Sequence, residues 1–212
     1  MGSFTLILQL QSNVQTMHKT NICVEGMKII DKTEYTPFYL KKLHLIDKLM
    51  KQLILIRHGK SSWSHDVTDD LRPLTKRGKN DIKLITKYFN TLNLKPDQLF
   101  SSPARRAFDT ASMFYSGLEL PQKPIIKVET LYDFEGSQVV SFIKALSNDY
   151  NFVIIFGHNH AFTSISNIFG SKVIDNLPTA GLVHLYIDVD KWSDINKGIT
   201  KLTIFPKQLR ND

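Results

Sequence analysis

Two histidines stand directly after short apolar runs, at positions where their chemistry could be used. Residues 53–56 are Leu, Ile, Leu and Ile, and Arg57 and His58 follow them. The apolar run 152–156 leads in the same way to His158. A neutral imidazole is a competent nucleophile toward phosphorus, and an arginine fork matches phosphate oxygens. These residue types therefore favour chemistry on a phosphoryl group.

A third junction brings a pair of arginines into the same pattern. Arg105 and Arg106 follow the short segment 98–101, at the start of a helical pattern. In an open α/β sheet, ligands bind outside the carboxyl ends of the strands. Each junction taken alone is compatible with a structural histidine or a solvated arginine. The three together predict one cluster of His58, His158 and arginine around a phosphoryl group.

The same histidines are not expected to form a metal site. His158 and His160 are two residues apart, but no third ligand stands at a convincing spacing. Cys23 is the only cysteine, which excludes an intramolecular disulfide and a cysteine-based zinc site. Three further histidines are interpreted as bystanders: His44, His65 and His184.

The elements that must position these residues alternate along the chain from Lys51 onward. Apolar runs and period-two segments predict strands at 53–56, 98–101, 125–128, 152–156, 182–189 and 199–205. Apolar residues at helical spacing predict helices at 76–92, 104–116, 137–147 and 161–170, with Thr75 as an N-cap. This alternation predicts an α/β fold, a three-layer αβα sandwich with a mostly parallel central sheet.

Length and composition are those of one globular domain with an appendage. The chain has 212 residues, 42% of them hydrophobic and 22% charged. We expect residues 1–49 to be an N-terminal extension, as an appended helix, a partly disordered segment or a rarely translated stretch before Met50. Residues 50–212 are expected to form the catalytic domain.

The net charge of +7 does not by itself point to nucleic acid, because the lysines are scattered and form no block of like charges. No apolar run approaches the roughly 20 residues that span a bilayer, and the start of the chain has no targeting pattern. We therefore expect no nucleic-acid or membrane partner. A reducing, cytoplasmic location is the default for a chain with a single cysteine.

The residues around His58 resemble the signature of the histidine phosphatase superfamily, which has the phosphoglycerate mutase-like fold. Other segments of the chain resemble further motifs of that family and come in the same order: residues 72–78, 101–111, 131–133, 157–159 and 177–181. The resemblance covers about residues 51–190. Residues 58–63 and the compact spacing of the motifs look most like the SixA-like branch, whose name-giving members are phosphohistidine phosphatases.

The resemblance implies a role for each matching position. His58 would be the nucleophile that takes the phosphoryl group, and Arg57 and Arg106 would bind its oxygens. Arg106 is preferred to Arg105 because it stands directly before the alanine of the family motif. His158 would be the second histidine and would contact the phosphoryl group from the other side. No metal and no cofactor are then required.

The proton donor is the position at which the sequence departs from the family pattern. Asp133 aligns with the acid that many members use, but it is shorter than their glutamate by one methylene. Glu135 stands two residues further on. The alternative interpretation makes Asp133 a loop acid or the cap of the helix predicted at 137–147. A weak acid suffices for phosphohistidine, because its P–N bond is labile, and matters more for an alkyl phosphate.

The expected function is a metal-independent phosphatase that acts through a phosphohistidine intermediate, with protein phosphohistidine as substrate. The segments between the motifs leave little room for a capping insertion, and an open site suits a protein side chain. Two alternatives stay open. One is the same chemistry on a small phosphoester, for which the basic residues Lys60, Lys76, Arg77 and Arg105 are available. The other is a non-catalytic module that binds phosphate.

Overall fold

The computed structural model describes residues 50–64, 66–120 and 124–210. The predicted extension, residues 1–49, lies outside the described residues, and so does His65. Within the described part, six strands form one sheet in the order β3-β2-β4-β1-β5-β6. The strands are β1 Lys51–Arg57, β2 Gln98–Ser101, β3 Ile126–Lys127, β4 Phe152–Gly157, β5 Leu182–Ile187 and β6 Ile199–Ile204.

The sheet is mostly parallel, as predicted. β1 pairs with β4, β4 with β2 and β2 with β3, and all three pairs are parallel. β5 alone runs against its two neighbours, β1 and β6. The helices are α1 Lys76–Asn90, α2 Arg105–Ser116, α3 Ser137–Lys144, α4 Ala161–Phe169 and α5 Pro206–Leu209.

The side chains of β1 show how the two faces of the sheet are covered. Leu53 and Leu55 enter a core that also contains residues of α3 and α4. Ile54 and Ile56 enter a second core, which contains residues of α1 and α2. Because side chains alternate along a strand, a fully apolar strand must be buried on both faces. The predicted αβα sandwich is therefore confirmed.

The predicted elements all form, and most differences lie at their ends. The predicted helices 76–92 and 137–147 end earlier, at Asn90 and Lys144. The sequence analysis did not predict α5 or three short 3₁₀ helices, Asp69–Leu71, Glu129–Leu131 and Trp192–Asp194. Segments of three or four residues are too short to show a helical period.

The register of the parallel strands brings the chemical residues to one edge. Arg57 of β1 lies opposite Gly157 of β4, so His58 and His158 leave the sheet side by side. Ser101 of β2 pairs with the residue before Gly157, and the chain turns there toward α2. The three junctions singled out in the sequence therefore meet at the carboxyl ends of β1, β2 and β4.

Candidate active site

The loop after β1 is held by the start of α1. Thr75 caps this helix, because its hydroxyl accepts a hydrogen bond from the backbone N–H of Gly78 at 3.0 Å. Gly78 itself packs on the backbone of Lys60, where a Cβ atom would come within 2.3 Å of the Lys60 carbonyl oxygen. Only glycine permits so close an approach. The helix therefore braces the turn that carries His58.

His58 is buried and has a defined tautomer. Its Nδ1 lies 2.8 Å from the carbonyl oxygen of Gly59, so Nδ1 carries the proton and donates it. Its Nε2 then has a free electron pair, and the Nε–H of Arg106 donates to it at 3.3 Å. The ring nitrogen that faces the arginine is thus the nucleophilic one.

The surroundings keep this imidazole uncharged. Burial lowers the pKa of His58, against the opposing effect of the hydrogen bond to Gly59. The charges of Arg106, Arg57 and Arg72 add to the effect of burial, and together these causes bring the pKa to about 3. At neutral pH His58 is therefore neutral, which is the form that can attack phosphorus.

Arg106 connects the two histidines. It is 2% exposed, and its Nη2 lies 3.4 Å from Nδ1 of His158 while its Nε donates to His58. Arg105 points away, is exposed and pairs with Asp109 at 3.6 Å. The arginine directly before the alanine is thus the one that the structure brings to the histidines.

Arg57 lies partly buried beside the same site. Its Nη1 donates to the carbonyl oxygen of Leu177 at 2.7 Å. Its Nε–H is buried and has no hydrogen-bond partner among the described residues. A buried N–H without a partner is costly and is commonly satisfied by a ligand or by water. This donor is consequently available to an oxyanion.

His158 is fully buried, and its ring lies 5.3 Å from that of His58 between centroids. Its Nε2 shares a hydrogen bond of 2.8 Å with the hydroxyl of Ser102, at the end of β2. Tyr132 and Phe134 pack against it, with ring centroids 5.2 and 5.0 Å away. Burial lowers the pKa of His158 as well, so both imidazoles are neutral.

Thr110 of α2 links the backbone of the loop after β1 to Arg106. Its hydroxyl accepts from the N–H of Gly59 at 2.9 Å and donates to the carbonyl oxygen of Arg106 at 2.6 Å. The sequence analysis assigned no role to Thr110, although it lies within the motif 101–111. Its contacts fix the distance between β1 and α2 at the point where their side chains meet.

The sequence analysis also assigned no role to Asp69 or Arg72. Arg106 donates through Nη2 to Oδ2 of Asp69 at 2.8 Å and through Nη1 to the Asp69 carbonyl oxygen. Arg72 is buried and donates to Oδ1 of Asp69 at 2.7 Å and to the hydroxyl of Ser61 at 2.6 Å. Arg72 stands at the start of the motif 72–78, and the three-residue spacing of acid and arginine is the signal that could have found Asp69.

The carboxylate of Asp133, the predicted proton donor, is engaged by the backbone of its own loop and of the helix that follows. Its carboxylate accepts hydrogen bonds from four backbone N–H groups, those of Glu135, Gly136, Gln138 and Val139, at 2.9 to 3.2 Å. Burial raises the pKa of Asp133, but these four donors outweigh it, and the pKa lies below its ordinary value. The carboxylate is thus ionised and organises the start of α3, while Glu135 is exposed.

No group of three or more His, Cys, Asp or Glu side chains among the described residues is arranged to hold a metal ion. No helix in the described ranges is long and apolar enough to cross a membrane. His184, interpreted as a bystander, lies in β5, where it contacts Gln52 and Phe152.

Comparisons with known proteins agree with this arrangement. Residues 53–139 match the family model of the histidine phosphatase superfamily, branch 1. An uncharacterized protein of Mycobacterium leprae is 24% identical over 163 residues, which are 71% of this chain and 98% of that protein.

Solved structures show the same fold. One is the protein histidine phosphatase SixA complexed with tungstate, with a TM-score of 0.64 and 20% identity, covering 75% of this chain and 99% of that one. Another is a mycobacterial glucosyl-3-phosphoglycerate phosphatase, with a TM-score of 0.53 and 13% identity, covering 72% and 98%. The sheet, the paired histidines and the match over residues 53–139 agree in making this chain similar to the histidine phosphatase superfamily, whose fold these solved structures share.

Proposed function

We propose that residues 50–212 form a phosphatase that hydrolyses protein phosphohistidine through a phosphoryl group carried on His58. The observation that supports this most strongly is the position of Arg106, whose guanidinium contacts Nε2 of His58 and Nδ1 of His158 at once. An oxyanion bound to this guanidinium would lie against both imidazoles. Positioning and charge stabilisation of this kind are what phosphoryl transfer needs.

The reaction has two steps. In the first, the free electron pair of His58 Nε2 attacks phosphorus, and the bond to the leaving group breaks with its electron pair on that group. In the second, water attacks the phosphorylated His58, the P–N bond breaks, and both protons of the water stay with the released phosphate. Arg57, Arg106 and His158 bind the phosphoryl oxygens, with the Nε–H of Arg57 as an available donor.

The state of the nearby acids supports a leaving group that needs no donated proton. Asp133 is ionised and held by four backbone N–H groups, and His158 is neutral. An alkyl phosphate would leave as an alkoxide, which must be protonated in the transition state. An imidazole that already carries a proton on its second nitrogen leaves as a neutral molecule. This supports phosphohistidine over an alkyl ester.

The surface beside the site supports a protein substrate. Three large apolar side chains are exposed there: Trp63 at 74%, Leu71 at 51% and Phe134 at 42%. Trp63 lies on Arg72, whose guanidinium carbon is 3.3 Å from the ring centroid, and Phe134 packs on His158. Exposed apolar groups next to a polar site are typical of surfaces that contact another protein.

Two of the four basic residues considered for a small phosphoester, Arg77 and Arg105, are engaged by acids of their own helices. Arg105 pairs with Asp109 and Arg77 with Asp81, and both arginines point outward from exposed helix surfaces. A multiply charged metabolite would need unpaired cations directed at it. The histidine, arginine and threonine contacts of the site are all in place, which also disfavours a module without catalytic activity.

The test is to trap the phosphorylated protein. The full chain is mixed briefly with a phosphohistidine-bearing carrier protein or with a panel of sugar phosphates, quenched in alkali, and mapped for the modified residue. We expect transfer from the carrier protein to His58, with His58→Ala as the variant that takes up no label. Faster labelling by a sugar phosphate than by the carrier protein would contradict the proposed substrate.

A further inference from the structure

The site contains one carboxylate that the two-step reaction does not use. Within the described residues, the hydrogen bonds of the four proposed site residues reach only one carboxylate, that of Asp69. It accepts from Arg106 at 2.8 Å and from Arg72 at 2.7 Å, and the hydroxyl of Tyr132 donates to it as well. Asp69 belongs to a 3₁₀ helix whose other acid, Asp70, is exposed.

These contacts leave the carboxylate ionised and able to accept a further hydrogen bond. Burial raises the pKa of Asp69, but the hydrogen bonds from Tyr132, Arg72 and Arg106 outweigh it and hold the pKa well below its ordinary value. A carboxylate offers about four acceptor positions, and three are filled, two on Oδ2 and one on Oδ1. Its side chain is 38% exposed, whereas that of Arg106 is 2% exposed. Asp69 can therefore be reached from solvent.

A negative charge at this place opposes one kind of substrate. Asp69 binds the guanidinium that must bind the phosphoryl oxygens, so it reduces the positive charge that an incoming dianion meets. Like charges close together at a partly buried site repel each other more strongly than in bulk water. This repulsion weakens the binding of phosphomonoesters, vanadate and inorganic phosphate. A substrate that carries a proton-donating cation next to its phosphoryl group would offset the repulsion, because the cation would be attracted to Asp69.

We propose that Asp69 determines specificity, by accepting a hydrogen bond from the second ring nitrogen of a phosphorylated imidazole. That N–H is present only when the substrate ring is protonated, and the protonated ring is the better leaving group. His58 Nε2 forms its bond to phosphorus, the substrate P–N bond breaks, and the electron pair stays on the departing nitrogen. The proton remains on the other ring nitrogen, so the product is a neutral histidine.

This inference rests on the proposed function and adds to it the group that selects the substrate. It also explains how the site dispenses with a proton donor. The carboxylate delivers no proton, and it stabilises the one that the substrate already carries. A purely positioning role, in which Asp69 only holds Arg106 and Arg72 in place, is the alternative that the experiment must separate.

The experiment compares Asp69→Asn with Asp70→Asn, the neighbouring exposed acid, in the full chain. For each protein, kcat/KM is measured on a phosphohistidine carrier protein and on an aryl phosphate, together with inhibition by inorganic phosphate. For Asp69→Asn we expect kcat/KM on phosphohistidine to fall roughly 10- to 100-fold, the loss of one hydrogen bond to a charged group. Aryl phosphate activity should hold or rise, and phosphate should inhibit at lower concentration. Asp70→Asn should match the wild type.

Equal losses on both substrates with unchanged phosphate inhibition would overturn the inference and leave Asp69 as a positioning residue. Tyr132→Phe covers the case in which Asp69→Asn does not fold, because it frees an acceptor position on the same carboxylate. It should keep or raise the preference for phosphohistidine, and a uniform loss on both substrates would again overturn the inference. A wild-type chain without phosphohistidine activity would instead refute the proposed function itself.

Discussion

The histidines at the end of the sheet and the histidine within it share their burial and differ in their neighbours. His58, His158 and His184 are all buried, and burial is the main reason that the pKa of each is lowered. His184 lies between the rings of Phe152 and Tyr186, in the middle of β5. At each of these three positions the neutral imidazole is therefore a consequence of burial. The arginine donors that reach His58 and His158 are what distinguish the site.

The largest expected effect is a loss of activity, and it separates the histidines at the end of the sheet from the histidine within it. His58→Ala should lower turnover by at least about a thousandfold, because it removes the group that is proposed to accept the phosphoryl group. The fold should persist, since the residue lies at a strand end. Steady-state rates on an aryl phosphate, with circular dichroism of the same samples, measure both.

His184→Gln is the matched control for that experiment. It changes an equally buried imidazole outside the site and should retain wild-type turnover per folded molecule. If His184→Gln were as inactive as His58→Ala, burial and not the arginine contacts would be the property that matters.

The next effect is the loss of stability at acid pH, which buried histidines of both regions should cause. Burial lowers the pKa of His184 to about 3, against 6.5 for an exposed histidine, so the unfolded chain binds the proton first. Stability is then highest above pH 6.5 and falls as the pH drops toward 3. Between pH 7 and pH 5, His184 should cost the wild type about 2 kcal/mol of unfolding free energy.

Urea unfolding of wild type and His184→Gln at the two pH values provides the measurement. The variant cannot take up this proton, so its deficit relative to the wild type should shrink by that amount at pH 5. A deficit that is the same at both pH values would mean that the imidazole is already protonated in the folded protein.

The smallest expected effect is that of Asp133→Asn, which tests whether Asp133 is a proton donor or the cap of α3. Oδ2 accepts three of the four hydrogen bonds and Oδ1 accepts one, so an amide that keeps its oxygen at the Oδ2 position turns an NH₂ group toward the N–H of Glu135. We expect a loss of about 1 kcal/mol of stability, typical of a helix cap. Activity per folded molecule should change equally on alkyl and aryl phosphates. A selective loss on the alkyl ester would restore Asp133 as the proton donor.

Much of the fold and the central residues of the site could be predicted from the sequence. The apolar runs of β1 and β4 are unambiguous because both faces of the sheet are covered, and His58 and His158 follow them directly. Arg106 could be chosen over Arg105 from its place in the motif. Each of these predictions depends on residues that are close together in the chain.

What the sequence could not give depends on contacts between distant segments. Asp69 meets Arg106 only because a short 3₁₀ helix packs against α2, and no periodicity marks such a contact. The two interpretations of Asp133 differ only in the direction of its carboxylate. That direction follows from the turn at Gly136, whose φ of 104° brings the N–H groups of α3 toward it.

The pairing of β1 with β4 also sets when a newly made chain can become active. These strands are far apart along the sequence, yet Arg57 must lie opposite Gly157 for the two imidazoles to meet. Pairing of distant strands closes a long loop and is slow compared with helix formation. A slip of one residue would turn every side chain of β1 to the other face. The proposed reaction thus cannot begin in the growing chain until β4 has been synthesised and has paired in register with β1.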